Sequence, residues 1–265
     1  MPFLSHSPME PMNCTADVRA DKVIIITGTQ FQQLVPHVVA GATGLKPEQV
    51  EVQTTFLGGG FGRRLEMDFI IAAAEISKAA GMPVKMVWSR EDDMTHDTYR
   101  PAGILKFGAG LDSEGKLSAI RFHCTSPSIT ARMFPSLVKD GIDPFALEAI
   151  DNFAYKADDG LRFAYQMHDT GVKVGFWRAV SHNLNAVAVE SFMDELASAA
   201  GADPVEFRLS HLTDERARAV INAAARKAGW RHGERLQGEG RGRGIAFSQY
   251  KNCLLYTSPS PRDRS

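Results

Sequence analysis

A glycine-rich loop constrains the fold of this chain more than any other feature. It runs from Phe56 to Phe69 with the sequence FLGGGFGRRLEMDF. Residues 49–56 alternate apolar and polar side chains, which predicts a strand before the loop. Residues 66–80 carry acidic side chains in the first turn and stop at Gly81, which predicts a helix after it. This order favours a site where backbone N–H groups bind an anion such as phosphate, and a tight connection with solvated arginines is the alternative.

Two common phosphate-binding patterns do not match this loop. A dinucleotide-binding G-x-G-x-x-G that starts at Gly58 requires glycine at position 63, where the chain has Arg63. A P-loop that starts at Gly58 requires Gly-Lys at positions 63 and 64, which are Arg63 and Arg64. A nicotinamide-dependent dehydrogenase is therefore disfavoured.

Composition argues against several classes of protein. Among 265 residues, 30 Lys and Arg face 31 Asp and Glu, so the basic excess of a non-specific nucleic-acid binder is missing. No run of about 18 apolar residues predicts a transmembrane helix. The three cysteines, at positions 14, 124 and 253, form no C-x-x-C pair, and no two histidines have i, i+4 spacing. We therefore expect no iron–sulfur cluster and no side-chain metal site supplied by this chain alone, so that something other than a cluster of protein ligands must hold any metal.

The remaining patterns predict strands mixed with helices. Strands are expected over 22–27, 49–56, 84–89 and 244–249, and a hairpin over 104–108 and 116–124. Helices are expected over 30–40, 66–80 and 184–200, with two more beginning at Pro204 and Thr213. Residues 126–169 mix Pro, Gly and charge, and we expect a long irregular stretch there. The sequence thus predicts an α+β fold in two lobes, residues 1–125 and residues 126–253, the second of them partial.

The last twelve residues, 254–265, do not continue these patterns. Their sequence, LLYTSPSPRDRS, resembles a translated sequencing adapter, which predicts that the natural protein continues with other residues after about residue 253. A disordered tail is the alternative.

Several segments occur in an order that is known from one family. They are SPMEPMNCTA at 7–16, GTQ at 28–30, GGGFG at 58–62, SREDDM at 89–94, GFWRAVSHNLNAVAVESFMDELA at 175–197 and DPVEFRLSHL at 203–212. Together they resemble the large subunit of the molybdenum hydroxylases, the xanthine dehydrogenase and aldehyde oxidase family. The double arginine and the Phe-Trp-Arg most resemble the branch of isoquinoline 1-oxidoreductase beta subunits and membrane-linked aldehyde dehydrogenases. The resemblance covers about residues 5–250 and implies that family's molybdenum-cofactor-binding fold, truncated at the C-terminus.

The resemblance also implies a cofactor, molybdenum with molybdopterin cytosine dinucleotide, whose pterin holds the metal so that this chain supplies no metal ligand. Gln30 matches the glutamine whose amide donates to an oxo ligand of the metal, and its alternative is an ordinary polar residue at a strand end. Trp177 matches a wall of the pocket. Arg178 matches an arginine near the cofactor, and its alternative is a salt-bridged surface arginine. The matched cofactor-binding residues are Gln30, Gly59, Gly60, Phe61, Gly62, Phe176, Trp177 and Arg178.

No catalytic residue is expected in this chain. The family takes its base from a Gly-Glu-Pro segment, which the sequence lacks, and Glu10 lies in a different segment, Met-Glu-Pro, so a structural or supporting role is expected for it. Arg64 and Trp177 are expected to line the substrate pocket. Position 64 holds glutamate in xanthine enzymes, and arginine reverses that charge, so xanthine is not expected to be the substrate.

The reaction implied is hydroxylation of an aldehyde or N-heterocycle at carbon, with oxygen from water. Because this chain has no C-x-x-C, the electrons are expected to leave through a small partner subunit with [2Fe–2S] clusters, with a cytochrome c as a candidate acceptor. The bacterial periplasm or membrane is favoured over the cytoplasm. The alternative function is a non-catalytic fragment that binds a dinucleotide cofactor and lacks the base.

Overall fold

The computed structural model describes residues 1–233 and 242–250 and the backbone of 253–255. These residues divide into two compact units. The glycine-loop unit comprises Pro2–Ala102 and Asp169–Arg178. The helix-rich unit comprises Met1, Gly103–His168 and Ala179–Ser265.

The glycine-loop unit is built on a four-stranded sheet with the order β3-β2-β1-β4. The strands are β1 (Asn13–Val18), β2 (Val23–Thr27), β3 (Val50–Thr54) and β4 (Val84–Val87). β1 runs antiparallel to β2 and β4, whereas β2 and β3 are parallel. Every second residue of β1 is buried, so Cys14, Ala16 and Val18 face the core of the unit.

Three helices complete this unit: α1 (Val35–Thr43), α2 (Asp68–Ala80) and α3 (Arg90–Thr95). α2 buries Phe69, Ile70, Ala73 and Ala74, a helical spacing that packs one face of the helix against the sheet. It ends at Gly81, whose φ of 66° closes the helix with a left-handed cap. The glycine loop therefore spans from β3 to the start of α2, with both ends fixed by the core.

The helix-rich unit contains a three-stranded sheet with the order β5-β6-β7. β5 (Ile104–Leu111) is antiparallel to β6 (Leu117–Ser126), which is parallel to β7 (Gly160–Met167). The helices are α4 (His182–Ala199), α5 (Pro204–His211) and α6 (Glu215–Lys227), and a short hairpin joins β8 (Ser248–Tyr250) to β9 (Cys253–Leu255). Asp203 caps α5 by accepting hydrogen bonds from two backbone N–H groups of its first turn, as the Asp-Pro pair predicted.

The mixture of sheets and helices confirms the α+β prediction, although several details differ. The expected irregular stretch at 126–169 is wrong in part, because it contains β7. The units also divide at 102/103 rather than 125/126, since the β5–β6 hairpin pairs with β7. The helix expected over 30–40 begins only at Val35, because Pro36 fits best in a first helical turn. Residues 256–265 of the predicted tail lie outside the described residues.

None of the helices within the described ranges combines the length and the apolar character that crossing a bilayer requires.

Candidate functional site

The glycine loop is a tight turn in which the backbone is packed against other backbone. Gly59, Phe61 and Gly62 all have positive φ, at 101°, 55° and 107°. A Cβ at Gly62 would overlap the carbonyl group of Phe176 and lie 2.6 Å from its carbon. No side chain fits there, so the loop and the Phe176 segment approach each other as closely as two backbones can.

The loop presents a row of free hydrogen-bond donors. The N–H groups of Gly59, Gly60 and Phe61 donate to no other group among the described residues. Consecutive backbone N–H groups in such a turn form a concave site with positive potential. The geometry suits an anionic ligand that approaches the backbone directly.

Gln30 lies across this loop with its amide group oriented by a hydrogen bond. Its Oε1 accepts from the N–H of Gly62 at 3.0 Å. Because a backbone N–H can only donate, the atom that it meets is the oxygen, and the NH2 group is left without a partner in the described part of the chain. A Cβ at Gly60 would lie 2.6 Å from Cδ of Gln30, so glycine is needed there for the amide to reach its place. Gln30 thus offers two N–H donors beside the loop.

Arg178 extends from the other wall of the site. Its backbone N–H donates to the carbonyl of Phe61 at 2.8 Å. Its guanidinium carbon lies 5.5 Å from the centre of the Phe61 ring and 4.9 Å from that of Trp177, within the range of cation–π attraction. Among the described residues, no carboxylate forms an ion pair with Arg178. The expected alternative, a salt-bridged surface arginine, does not match this geometry.

Trp177 lies beneath Arg178 and is almost completely buried. Its indole N–H donates to the carbonyl of Ser5 at 3.3 Å. A buried indole with its one donor occupied has no polar group left for a ligand. Trp177 therefore acts as a wall that supports Arg178.

The two arginines that follow the loop are both fully buried, which the sequence did not indicate. The guanidinium of Arg64 donates to the carbonyls of Gly59, Gly28 and Glu10 at 3.0–3.1 Å and to that of Pro11 at 3.3 Å. Arg64 was expected to line the substrate pocket. Its position differs from that expectation, because its guanidinium is buried and its donors are occupied inside the protein. Position 64 therefore offers a substrate neither a carboxylate nor a free guanidinium.

Arg63 holds the start of α2. Its two terminal nitrogens bind both carboxylate oxygens of Asp68 at 2.8 and 2.9 Å, and its Nε lies 3.2 Å from Oδ1 of Asp97. The guanidinium also lies over the rings of Phe69 and Trp88. The bidentate pair fixes the direction in which the chain leaves the loop.

Glu10 braces the opposite end of the loop. Its carboxylate accepts from the N–H of Gly58 and from Asn13, and lies 3.1 Å from Nη2 of Arg64. Burial favours the neutral acid, but these hydrogen bonds and the charge of Arg64 lower the pKa of Glu10 below its ordinary value. A carboxylate held ionised by three donors is a poor proton acceptor. This agrees with the structural role expected for Glu10.

The structure brings the predicted cofactor-binding residues together within the glycine-loop unit and adds two that the sequence did not reveal. The predicted residues that meet around the loop are Gln30, Gly59, Gly60, Phe61, Gly62, Phe176, Trp177 and Arg178. The additional residues are His6, which contacts the carbonyl of Phe176, and Asp97, which holds the ring of His6. They lie 91 residues apart in isolated positions, so no local pattern could have identified them.

Side chains that could bind a metal are not clustered. Within the described residues, no group of three or more His, Cys, Asp and Glu could hold a metal ion. The donors around the loop are N–H groups and a guanidinium, which suit an anionic molecule rather than a bare cation.

Comparison with known proteins gives a consistent match. Residues 1–212 match the family model of the molybdopterin cofactor-binding domain. The beta subunit of isoquinoline 1-oxidoreductase from Brevundimonas diminuta is 32% identical over 265 residues, which cover 94% of this chain and 32% of that protein. One of the subunits of nicotinate dehydrogenase from Pseudomonas putida is 30% identical over 259 residues, which cover 94% of this chain and 22% of that protein. The chain spans about a third or less of the length of these relatives.

Solved structures show the same fold at lower identity. Quinoline 2-oxidoreductase from Pseudomonas putida 86 aligns with a TM-score of 0.72 and 19% identity over 86% of this chain and 31% of that one. Aldehyde oxidoreductase from Desulfovibrio gigas aligns with a TM-score of 0.69 and 20% identity over 85% of this chain and 26% of that one.

Proposed function

Because the chain belongs to the molybdopterin cofactor-binding domain family, as its match over residues 1–212 shows, we propose that its glycine-loop unit binds the molybdopterin of a molybdenum-dependent oxidoreductase. Family membership confirms the resemblance seen in the sequence. The observation that carries the proposal is the row of N–H groups from Gly59 to Phe61, faced by the NH2 group of Gln30 and the guanidinium of Arg178. None of these groups donates a hydrogen bond in the described part of the chain.

The residues present fit a large anionic cofactor that carries its own metal. Gly60 and Gly62 leave no room for a Cβ, which lets the loop backbone lie directly against the side chain of Gln30 and the backbone of Phe176. The donors of the site are all N–H groups, and these pair with phosphate oxygens and with the acceptor atoms of a pterin. Only the cofactor contributes metal chelation, which is consistent with the dispersed carboxylates and histidines of the described residues.

Each residue has a defined task in this proposal. Gly59, Gly60 and Phe61 donate backbone N–H groups to the cofactor, and Arg178 balances its negative charge. The NH2 group of Gln30 would donate to an acceptor atom of the bound cofactor. The rings of Phe61 and Trp177 hold the guanidinium of Arg178 in place and keep water from its faces. The bound cofactor supplies the redox chemistry, in which oxygen is transferred and two electrons are accepted.

For the whole protein we propose hydroxylation of an aldehyde or an N-heterocycle at carbon, with water as the source of oxygen. The support is the identity of the relatives, whose names specify isoquinoline, nicotinate and aldehyde as substrates. The proposed cofactor form is the cytosine dinucleotide. The proposed electron path runs through a separate small subunit with [2Fe–2S] clusters to an acceptor such as a cytochrome c, in the periplasm or at the membrane.

For the 265-residue chain alone we propose cofactor binding without turnover. The sequence contains no Gly-Glu-Pro, the segment from which the resembled family takes its base, and Glu10 is held ionised by its three donors. Added substrate should therefore not reduce a dye acceptor when this chain is supplied on its own.

The test is cofactor analysis of the whole protein, purified from a host that makes molybdopterin. We expect close to one molybdenum per polypeptide and one CMP released by acid. Gln30→Ala should lower the molybdenum content, whereas Gln53→Ala, an exposed glutamine on β3, should leave it unchanged. NAD, or a nucleotide without metal, in the wild-type protein would contradict the proposal.

A further inference from the structure

His6 joins two distant parts of the chain beneath the candidate site. Its side chain has no solvent exposure, and its Nδ1 lies 2.9 Å from Oδ1 of Asp97. Its Nε2 lies 2.9 Å from the carbonyl oxygen of Phe176, 170 residues further along the chain. None of the tasks assigned above uses this histidine.

The ring of His6 is held at both of its nitrogens. The Asp97 carboxylate that meets Nδ1 also accepts from the backbone N–H of His6, from the hydroxyl of Ser5 and from the N–H of Thr98. Burial alone would raise the pKa of Asp97, but its hydrogen bonds with His6 lower it, so the carboxylate is ionised. The ring therefore lies between a carboxylate at Nδ1 and a carbonyl at Nε2, and both groups accept hydrogen bonds.

The carboxylate that holds His6 also lies beside a buried arginine. Nε of Arg63 is 3.2 Å from the same Oδ1 of Asp97 that meets Nδ1 of His6. Arg63 is itself paired with Asp68 and lies in the field of Glu66. Asp97 is therefore linked through Arg63 to the start of α2, and this link fixes its place beside His6.

The carbonyl that His6 holds is the one against which Gly62 is packed. Moving it would displace both the glycine loop and the segment that carries Arg178 two residues later. We propose that His6, held by Asp97, is a positioning residue that clamps Phe176–Arg178 against the glycine loop. The importance of the clamp for the cofactor rests on the proposed function.

Two substitutions test the roles of the two ring nitrogens of His6 separately. The amide nitrogen of glutamine reaches the position of Nε2, so His6→Gln keeps a donor for Phe176. The amide nitrogen of asparagine reaches only the position of Nδ1, so His6→Asn keeps the donor for Asp97 and loses the clamp. His37→Asn, an exposed histidine on α1 in the same unit, is the matched control.

The first readout is amide hydrogen exchange of the peptide that contains Arg178, whose N–H donates to Phe61. In the whole protein, His6→Asn should speed this exchange about tenfold, since the hydrogen bond to Phe176 is lost. His6→Gln and His37→Asn should exchange like the wild type. The second readout is molybdenum per polypeptide, which should fall by at least half in His6→Asn only.

The outcomes distinguish the clamp from the proposed function. Equal exchange in His6→Asn and His6→Gln overturns the clamp. Accelerated exchange in His6→Asn together with a wild type that lacks molybdenum supports the clamp and refutes the proposed function. Unchanged exchange in His6→Asn, together with a wild type that contains molybdenum, refutes the clamp and supports the proposed function.

Discussion

Replacing Gly62 by alanine tests the close packing between the glycine loop and the Phe176 segment. At a φ of 107°, an added Cβ costs about 1–2 kcal/mol of backbone strain. The Cβ would also lie 2.6 Å from the carbonyl carbon of Phe176, so the two segments must separate. Separation breaks the hydrogen bond from Arg178 to Phe61 and that from His6 to Phe176, each worth about 0.5–1.5 kcal/mol. The expected loss is about 2–5 kcal/mol of unfolding free energy.

Gly81→Ala is the matched control. Gly81 also has a positive φ, 66°, and no atom lies within 4 Å of a Cβ added there. Its substitution should cost the backbone strain alone, about 1–2 kcal/mol. Urea unfolding measures both costs from the shift of the midpoint at constant m. A Trp230→Phe background leaves Trp88 and Trp177 as reporters, both within the glycine-loop unit.

The result that would refute this reasoning is a small difference between the two variants. Suppose that the loss of unfolding free energy in Gly62→Ala exceeds that in Gly81→Ala by less than about 1 kcal/mol. The backbone strain of a positive φ then accounts for the whole loss. The backbone contact with Phe176 would then not exist in solution. Loss of molybdenum from Gly62→Ala, with normal content in Gly81→Ala, would tie the same contact to cofactor binding.

Other predictions concern the cores of the two units. Arg208→Met should lower the unfolding free energy by about 3–5 kcal/mol, because it leaves the carboxylate of Glu190 buried without its cation, and urea unfolding would show it. Asp203→Ala should cost about 1–2 kcal/mol in the same assay, because α5 loses its N-cap. Burial raises the pKa of Cys14 from 9.0 to about 12, so the unfolded chain loses this proton first. Its contribution to stability is therefore complete below pH 9 and is lost between about pH 9 and 12, and Cys14→Ala should flatten the alkaline side of a stability–pH curve.

Much of the fold could be predicted because the local signals agreed with one another. The strand at Val23–Thr27 and the helix at Asp68–Ala80 lie within two residues of their predicted bounds, since apolar periodicity and Gly81 both mark them. β7 was missed because Pro and Gly dominate the region before it and hide the pattern of Gly160–Met167. β1 was missed because Asn13–Val18 reads as a strand only through its pairing with β2 and β4.

In the candidate site, too, some residues could be predicted from local sequence and others could not. The glycines, Gln30 and Phe176–Arg178 could be identified because the backbone and amide donors of such a site need particular residues in particular places. The burial of Arg63 and Arg64 could not be predicted, because a pair of arginines after a loop normally lies in solvent or against a ligand. Their partners are carbonyls and carboxylates that only the folded chain brings together.

The glycine-loop unit closes with a segment that emerges late from the ribosome. The unit takes Asp169–Arg178 from beyond a stretch of chain that belongs to the other unit. At about 5–20 residues per second, Phe176 is synthesised roughly 4–16 s after Asp97. During that interval the turn, its two buried arginines and His6 are already made, but the backbone that closes over them is not. A chain that ends before residue 178 therefore contains the entire glycine loop and still cannot assemble the site.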